Sequence, residues 1–114
     1  MTTKKSAKEA LEEILGEKIS FSMAIRSARL ATEMSLEDCA EILGISKTQL
    51  SDIEHKRRII SAAKAAEFAK KLGENPSFWA QLVWQDEADK YGIDAVIQAH
   101  PRKRKAKTLS AVYR

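Results

Sequence analysis

The sequence predicts an all-α fold of five core helices, with an additional N-terminal helix and a flexible C-terminal tail. Three observations carry this. Apolar residues recur every three or four positions in successive windows between residues 20 and 91. Each window opens on a residue suited to a helix start: Ser20, Ser35, Ser46, Ser61 or Pro76. Gly44, Gly73 and Gly92 stand where three of the windows close. A chain of 114 residues supports one compact core with tails. The expected organisation is a flanking helix within 1–18, a core domain over 19–92 and an extension over 93–114.

The flanking helix is expected over residues 6–15, where Ala7, Leu11, Ile14 and Leu15 form an apolar stripe and Gly16 follows as a stop. The first core helix runs over about residues 20–34, with Phe21, Ala24, Ile25, Ala28 and Ala31 at helical spacing. Ser35 then opens "SLEDCAEILG", with Asp38 in the position of the reciprocal acid of a capping box. A single residue separates Gly44 from the next cap, Ser46, and Leu50 and Ile53 mark a short helix through Glu54. This is the grammar of helix, tight turn, helix. The helix after Ser61 carries Ala62, Ala65, Ala66, Ala69 and Leu72, small enough for close packing, and the last begins at Pro76. The stretch "IDAVIQAH" after Gly92 fits a helical turn, an added strand or a linker, because its short apolar pattern does not select a period.

The net charge of +4 is unevenly placed. Six of the 20 Lys and Arg residues lie from Arg102 onward with no acid among them, so residues 1–101 hold 14 basic against 16 acidic residues. Any attraction for nucleic acid in the core must be local. It is concentrated between Lys47 and Lys64, with Lys56, Arg57 and Arg58 between them and only Asp52 and Glu54 opposing. The single cysteine, Cys39, cannot form an intrachain disulfide and fits a reducing compartment, so a cytoplasmic protein is expected. No apolar run approaches the roughly 18 residues that a membrane span needs, and no membrane partner is expected.

With Leu43, Ile45, Leu50 and Ile53 turned inward, Ala40 sits where two helices cross and Gly44 takes the turn. Ser46, Lys47, Thr48, Ser51 and Asp52 then face outward, a polar ridge narrow enough for a DNA major groove. A solvated helix rim is the competing reading of the same residues.

The stretch "SFSMAIRSARLATEMSLEDCAEILGISKTQLSDIEHKRR" with the following "ISAAKAAEFAKKLG" resembles the phage-repressor, or xenobiotic-response-element, type of helix-turn-helix regulator. The resemblance implies a lambda-repressor-like helix-turn-helix domain and sequence-specific binding of double-stranded DNA. It places Lys47, Thr48, Ser51 and Asp52 at the base edges, and Ser35, Leu36, Ser46, Lys56, Arg57 and Arg58 at the phosphates. Asp52 there needs a cytosine amine or a pairing base to offset phosphate repulsion. It also implies an ion pair between Arg29 and Glu54. The family has a small residue such as asparagine followed by glycine where this chain has His55 and Lys56, which puts the shape of that turn in question.

Phe78, Trp79, Leu82 and Val83 form an apolar face, extended around the helix by Trp84, Ala88 and Tyr91, that suits either the core or a dimer interface. A homodimer would set two recognition helices about one DNA turn apart over a palindromic operator. The segment "ENPSFWAQL" resembles the higA-like antitoxin subgroup, which implies the alternative of an autoregulatory antitoxin with a cognate toxin as partner. In the tail, Arg102, Lys103, Arg104, Lys105 and Lys107 suit DNA phosphates or an acidic protein surface. No nucleotide-binding loop, catalytic triad or clustered metal ligands occur, so neither an enzyme nor a cofactor is expected; Cys39 and His55 are read as packing residues.

Overall fold

Local hydrogen bonding at the hydroxyls and turns decides where this chain changes direction. The computed structural model describes residues 19–100 and residue 102. Five helices span most of that stretch: α1 (Phe21–Ala31), α2 (Leu36–Leu43), α3 (Lys47–Glu54), α4 (Ala62–Leu72) and α5 (Pro76–Lys90). No strand occurs among the described residues. The expected helix over 6–15 lies outside them, as do Lys103, Arg104, Lys105 and Lys107 of the tail.

The side chains of Ser20, Ser35, Ser46 and Ser61 each accept from the backbone N–H three residues on, satisfying one of the donors a helix start leaves open. Asn75 does the same for Phe78, ahead of Pro76 in the first turn of α5. The helix ends share one device. Just past each helix a residue takes left-handed backbone, and the next N–H reaches back five residues, Met34 to Arg29, Ile45 to Ala40, Arg57 to Asp52, Glu74 to Ala69 and Ile93 to Ala88. Glycine fills three of these turns, but Glu33 (φ 56) and Lys56 (φ 63) fill the other two. The Glu33 turn is why α1 ends at Ala31, short of the expected residue 34.

The core gathers Ile25, Cys39, Leu43, Leu50, Phe68, Trp79 and Leu82, all fully buried. The small faces of Ala65 and Ala69 let α4 lie against α5 in the most extensive helix contact. The Phe21 and Trp79 rings meet edge to face, 5.4 Å between centroids, and the Phe21 N–H donates to Asp86 at 3.0 Å, tying α1 to α5. Of the apolar face on α5, Trp79 and Leu82 belong to the core and Phe78 and Val83 pack against it half-buried. Trp84 and Tyr91 remain exposed. No helix among the described residues is long and apolar enough to cross a membrane.

After a tight turn closed by the Ala95 N–H on the Ile93 carbonyl, the chain is laid back along α5 as an extended arm. The Ile97 N–H donates to Gln85 Oε1 at 2.6 Å, the Ala99 N–H to Gln81 Oε1 at 2.9 Å, and Gln85 Nε2 donates to the Ala95 carbonyl at 2.9 Å. Gln81 and Gln85 are one helical turn apart, a rise of about 6 Å, which matches the roughly 6.6 Å spanned by two residues of extended chain. Higher arm residues bond to the lower-numbered glutamine, so the arm runs antiparallel to the helix.

Candidate nucleic-acid interface

The geometry of α3 is set before any ligand is considered. Ser46 Oγ accepts from the Gln49 N–H at 3.0 Å and Gln49 Oε1 accepts from the Ser46 N–H at 2.9 Å, a reciprocal capping box that fixes the first turn. Leu50 and Ile53 anchor the inner face in the core. Lys47, Thr48, Ser51 and Asp52 consequently share the outer face, the four residues expected at base edges. Lys47 and Thr48 are exposed, Ser51 and Asp52 half-exposed.

Two of these four are already in ion pairs, and Ser51 Oγ lies 3.5 Å from His55 Nδ1. Lys47 Nζ lies 3.1 Å from Glu37 Oε2 across the turn from α2. The Glu37 backbone N–H and the Lys47 ammonium together hold the Glu37 carboxyl below the usual carboxylate range. Asp52 Oδ1 accepts from Arg57 Nε at 3.0 Å, and the Asp52 carbonyl accepts from the Arg57 N–H at 2.7 Å. Arg57 is thus the pairing base that an acid on this face requires. Glu37 was not legible as part of the site, because its proximity to Lys47 depends on the angle of the turn.

Left-handed Lys56 makes that second turn. Its N–H returns to the Ile53 carbonyl and the Arg57 N–H to that of Asp52, so the turn usually made by glycine is retained with a lysine in the strained position. His55 precedes it with Nδ1 2.8 Å from the Ser51 carbonyl. A carbonyl only accepts, so Nδ1 carries the proton, and the exposed imidazole is held at the end of α3. Lys56, Arg57 and Arg58 all project to solvent, and among the described residues Lys56 and Arg58 form no ion pair. Ser35 and Ser46 spend an acceptor on their caps, which leaves each hydroxyl hydrogen to donate to a phosphate. Leu36 is half-buried against the core, so only its backbone N–H at the start of α2 suits an anion.

Behind the surface, Arg29 Nε and Nη2 donate to the two Glu54 oxygens at 2.7 and 3.0 Å, and Arg29 Nη1 donates to the Met34 carbonyl at 3.0 Å. The bond to Glu54 raises the Arg29 pKa further above its ordinary value. The fork couples α1 to the end of α3, as the sequence resemblance implied. Lys71 Nζ donates to the Leu43 carbonyl at 3.3 Å and braces the end of α2 from α4. Cys39 is fully buried, and burial pushes its thiol pKa up, so it stays neutral. No group of carboxylate, thiol or imidazole side chains able to hold a metal exists among the described residues.

The helix-turn-helix family model matches residues 25–79, which contain the last two turns of α1, all of α2 to α4, both turns described above and the first residues of α5. No curated protein and no solved structure matches the chain. Capped recognition helix, exposed polar ridge and family match agree: residues 25–79 are a helix-turn-helix domain of the phage-repressor type, the domain of a DNA-binding transcription regulator.

Proposed function

We propose that the chain acts as a homodimeric repressor whose two α3 helices read the halves of a palindromic operator. The observation that carries this is the rigidly capped α3, with Lys47, Thr48, Ser51 and Asp52 on its outer face and the cations Lys56, Arg57 and Arg58 immediately after it. Ordered directional groups read base edges and the cations meet the phosphates. Selection from a random DNA library is the test, and the expected result is a reproducible two-fold motif; enrichment of no motif removes the reading. Lys47→Ala with Thr48→Ala is expected to relax base preference. Arg58→Ala is expected to weaken all sequences alike and lower the salt slope by about 1.

The antitoxin alternative rests on the "ENPSFWAQL" resemblance. Within the fold, Asn75 and Pro76 start α5 and Trp79 fills the core, so folding alone accounts for much of that signature. Rescue of growth arrested by the product of an adjacent gene is the outcome that would favour it. The basic tail adds phosphate attraction on this reading, and removal of residues 102–114 is expected to weaken cognate and unrelated DNA by similar factors.

A further inference from the structure

The arm over residues 95–99 has one satisfied edge. In extended chain, successive residues direct their N–H and C=O to opposite sides. The residues held by Gln81 and Gln85 are Ala95, Ile97 and Ala99, so Val96 and Gln98 present the other edge. Among the described residues the Val96 and Gln98 N–H groups make no hydrogen bond, and Val96 is 70 % exposed. Edges of this kind are normally blunted by lysine or proline, yet "IDAVIQAH" contains neither, and Pro101 follows directly. The glutamines therefore hold an open strand edge in place.

We infer that this edge pairs antiparallel with the same edge of a second copy, about a two-fold axis at Val96. The inference rests on the dimeric reading above and names its surface. Antiparallel pairing of one segment with itself is self-complementary, as a two-fold dimer requires. With the axis at Val96, valine faces valine, a favourable β-branched pair, and each Ala95 faces an Ile97. No like charges meet, and every pair stays within the stretch next to the clasp. Gln85 and Gln81 act here as positioning residues: each donates or accepts on the inner edge and thereby aims the outer one.

The test uses the full chain. Sedimentation equilibrium of the wild type is expected to give a dimer at micromolar concentration, with Val96 and Gln98 amides protected from hydrogen exchange in proportion to dimer. Val96→Lys and Val96→Glu each place like charges across the axis, and each is expected to raise the dimer Kd roughly tenfold or more. An equimolar mixture of the two variants restores pairing as a heterodimer, because lysine then faces glutamate. Circular dichroism and thermal melting of each variant at monomeric dilution are expected to match wild type, since Val96 is outside the core. A wild type that stays monomeric both free and on its selected DNA overturns the dimeric reading and this inference together. Dimers unaffected by either Val96 variant overturn only the arm pairing and leave the dimer to another surface. A mixture no tighter than its components overturns the two-fold register. Protection of Val96 and Gln98 only after a different protein is added assigns the edge to a foreign strand and overturns self-pairing.

Discussion

Lys56 is a residue whose two tasks oppose each other. Left-handed backbone costs a side chain with a Cβ about 1 kcal/mol, and Lys56 bears that at φ 63. Lys56→Gly is expected to raise stability by about 0.5–1 kcal/mol in urea denaturation while weakening binding to all DNA sequences, through loss of one phosphate-facing charge. An unchanged or lower midpoint denies the strain. Glu37 poses the complementary case at the other end of α3. Its lowered pKa means that its pairing with Lys47 is present above the ordinary carboxylate range and is lost only as pH falls through the lowered value. At neutral pH the pair is intact and competes with DNA for Lys47. Glu37→Gln is therefore expected to tighten DNA several-fold, measured as Kd at fixed salt; equal affinity would mean that Lys47 does not leave Glu37 to bind.

At the scale of elements, α3 is a short helix fixed from three sides. The capping box sets its start, the Lys56 turn its end, and the Arg29–Glu54 fork ties it to α1. The Glu54 side chain is 2 % exposed and that of Arg29 12 %. Glu54→Ala leaves a nearly buried guanidinium without its partner, and is expected to destabilise the domain by about 3–5 kcal/mol. The paired change Arg29→Met with Glu54→Leu removes both charges and is expected to recover most of that loss. Chemical denaturation of the single and double variants decides it. A double variant as unstable as Glu54→Ala would show that the hydrogen bond to the Met34 carbonyl, rather than charge pairing, carries the fork.

Across the whole molecule, α5 links two surfaces. Its inner face closes the core through Trp79 and Leu82, while Gln81 and Gln85, 6 % and 4 % exposed, hold the arm. These amides cost free energy to bury and are stabilising because polar groups satisfy them, the backbone of the arm for both and Asp89 Oδ1, 2.9 Å from Gln85 Nε2, in addition. Gln85→Ala removes partners from the Ile97 N–H and the Ala95 carbonyl together. The expected outcome is hydrogen exchange at Ile97 faster by roughly 5- to 150-fold, on a loss of about 1–3 kcal/mol in local stability, with α1 to α4 protected as before. Retained protection at Ile97 would show that apolar packing, not the glutamine clasp, holds the arm.

Much of this architecture was legible in the sequence because its signals are local. A serine three residues ahead of a backbone donor, or a glycine past an apolar stripe, acts within one turn of chain, so Ser35, Ser46, Ser61, Gly44 and Gly73 mark their helices without knowledge of the fold. The outward ridge of α3 follows from the same short period. The two left-handed turns at Glu33 and Lys56 were not legible, since neither residue favours that backbone and each is held there by returning hydrogen bonds. Pairing of Glu37 with Lys47 depends on the angle between two helices. The arm was undecided for a similar reason: "IDAVIQAH" has too few residues to declare a period, and its extended form is imposed by Gln81 and Gln85 of α5. The sequence by itself determined the helices, their caps and the recognition ridge, because those depend on neighbours in the chain. Tertiary structure decided which charges on the ridge are paired and where the arm lies, because hydrogen bonds between distant residues form only once the helices have packed.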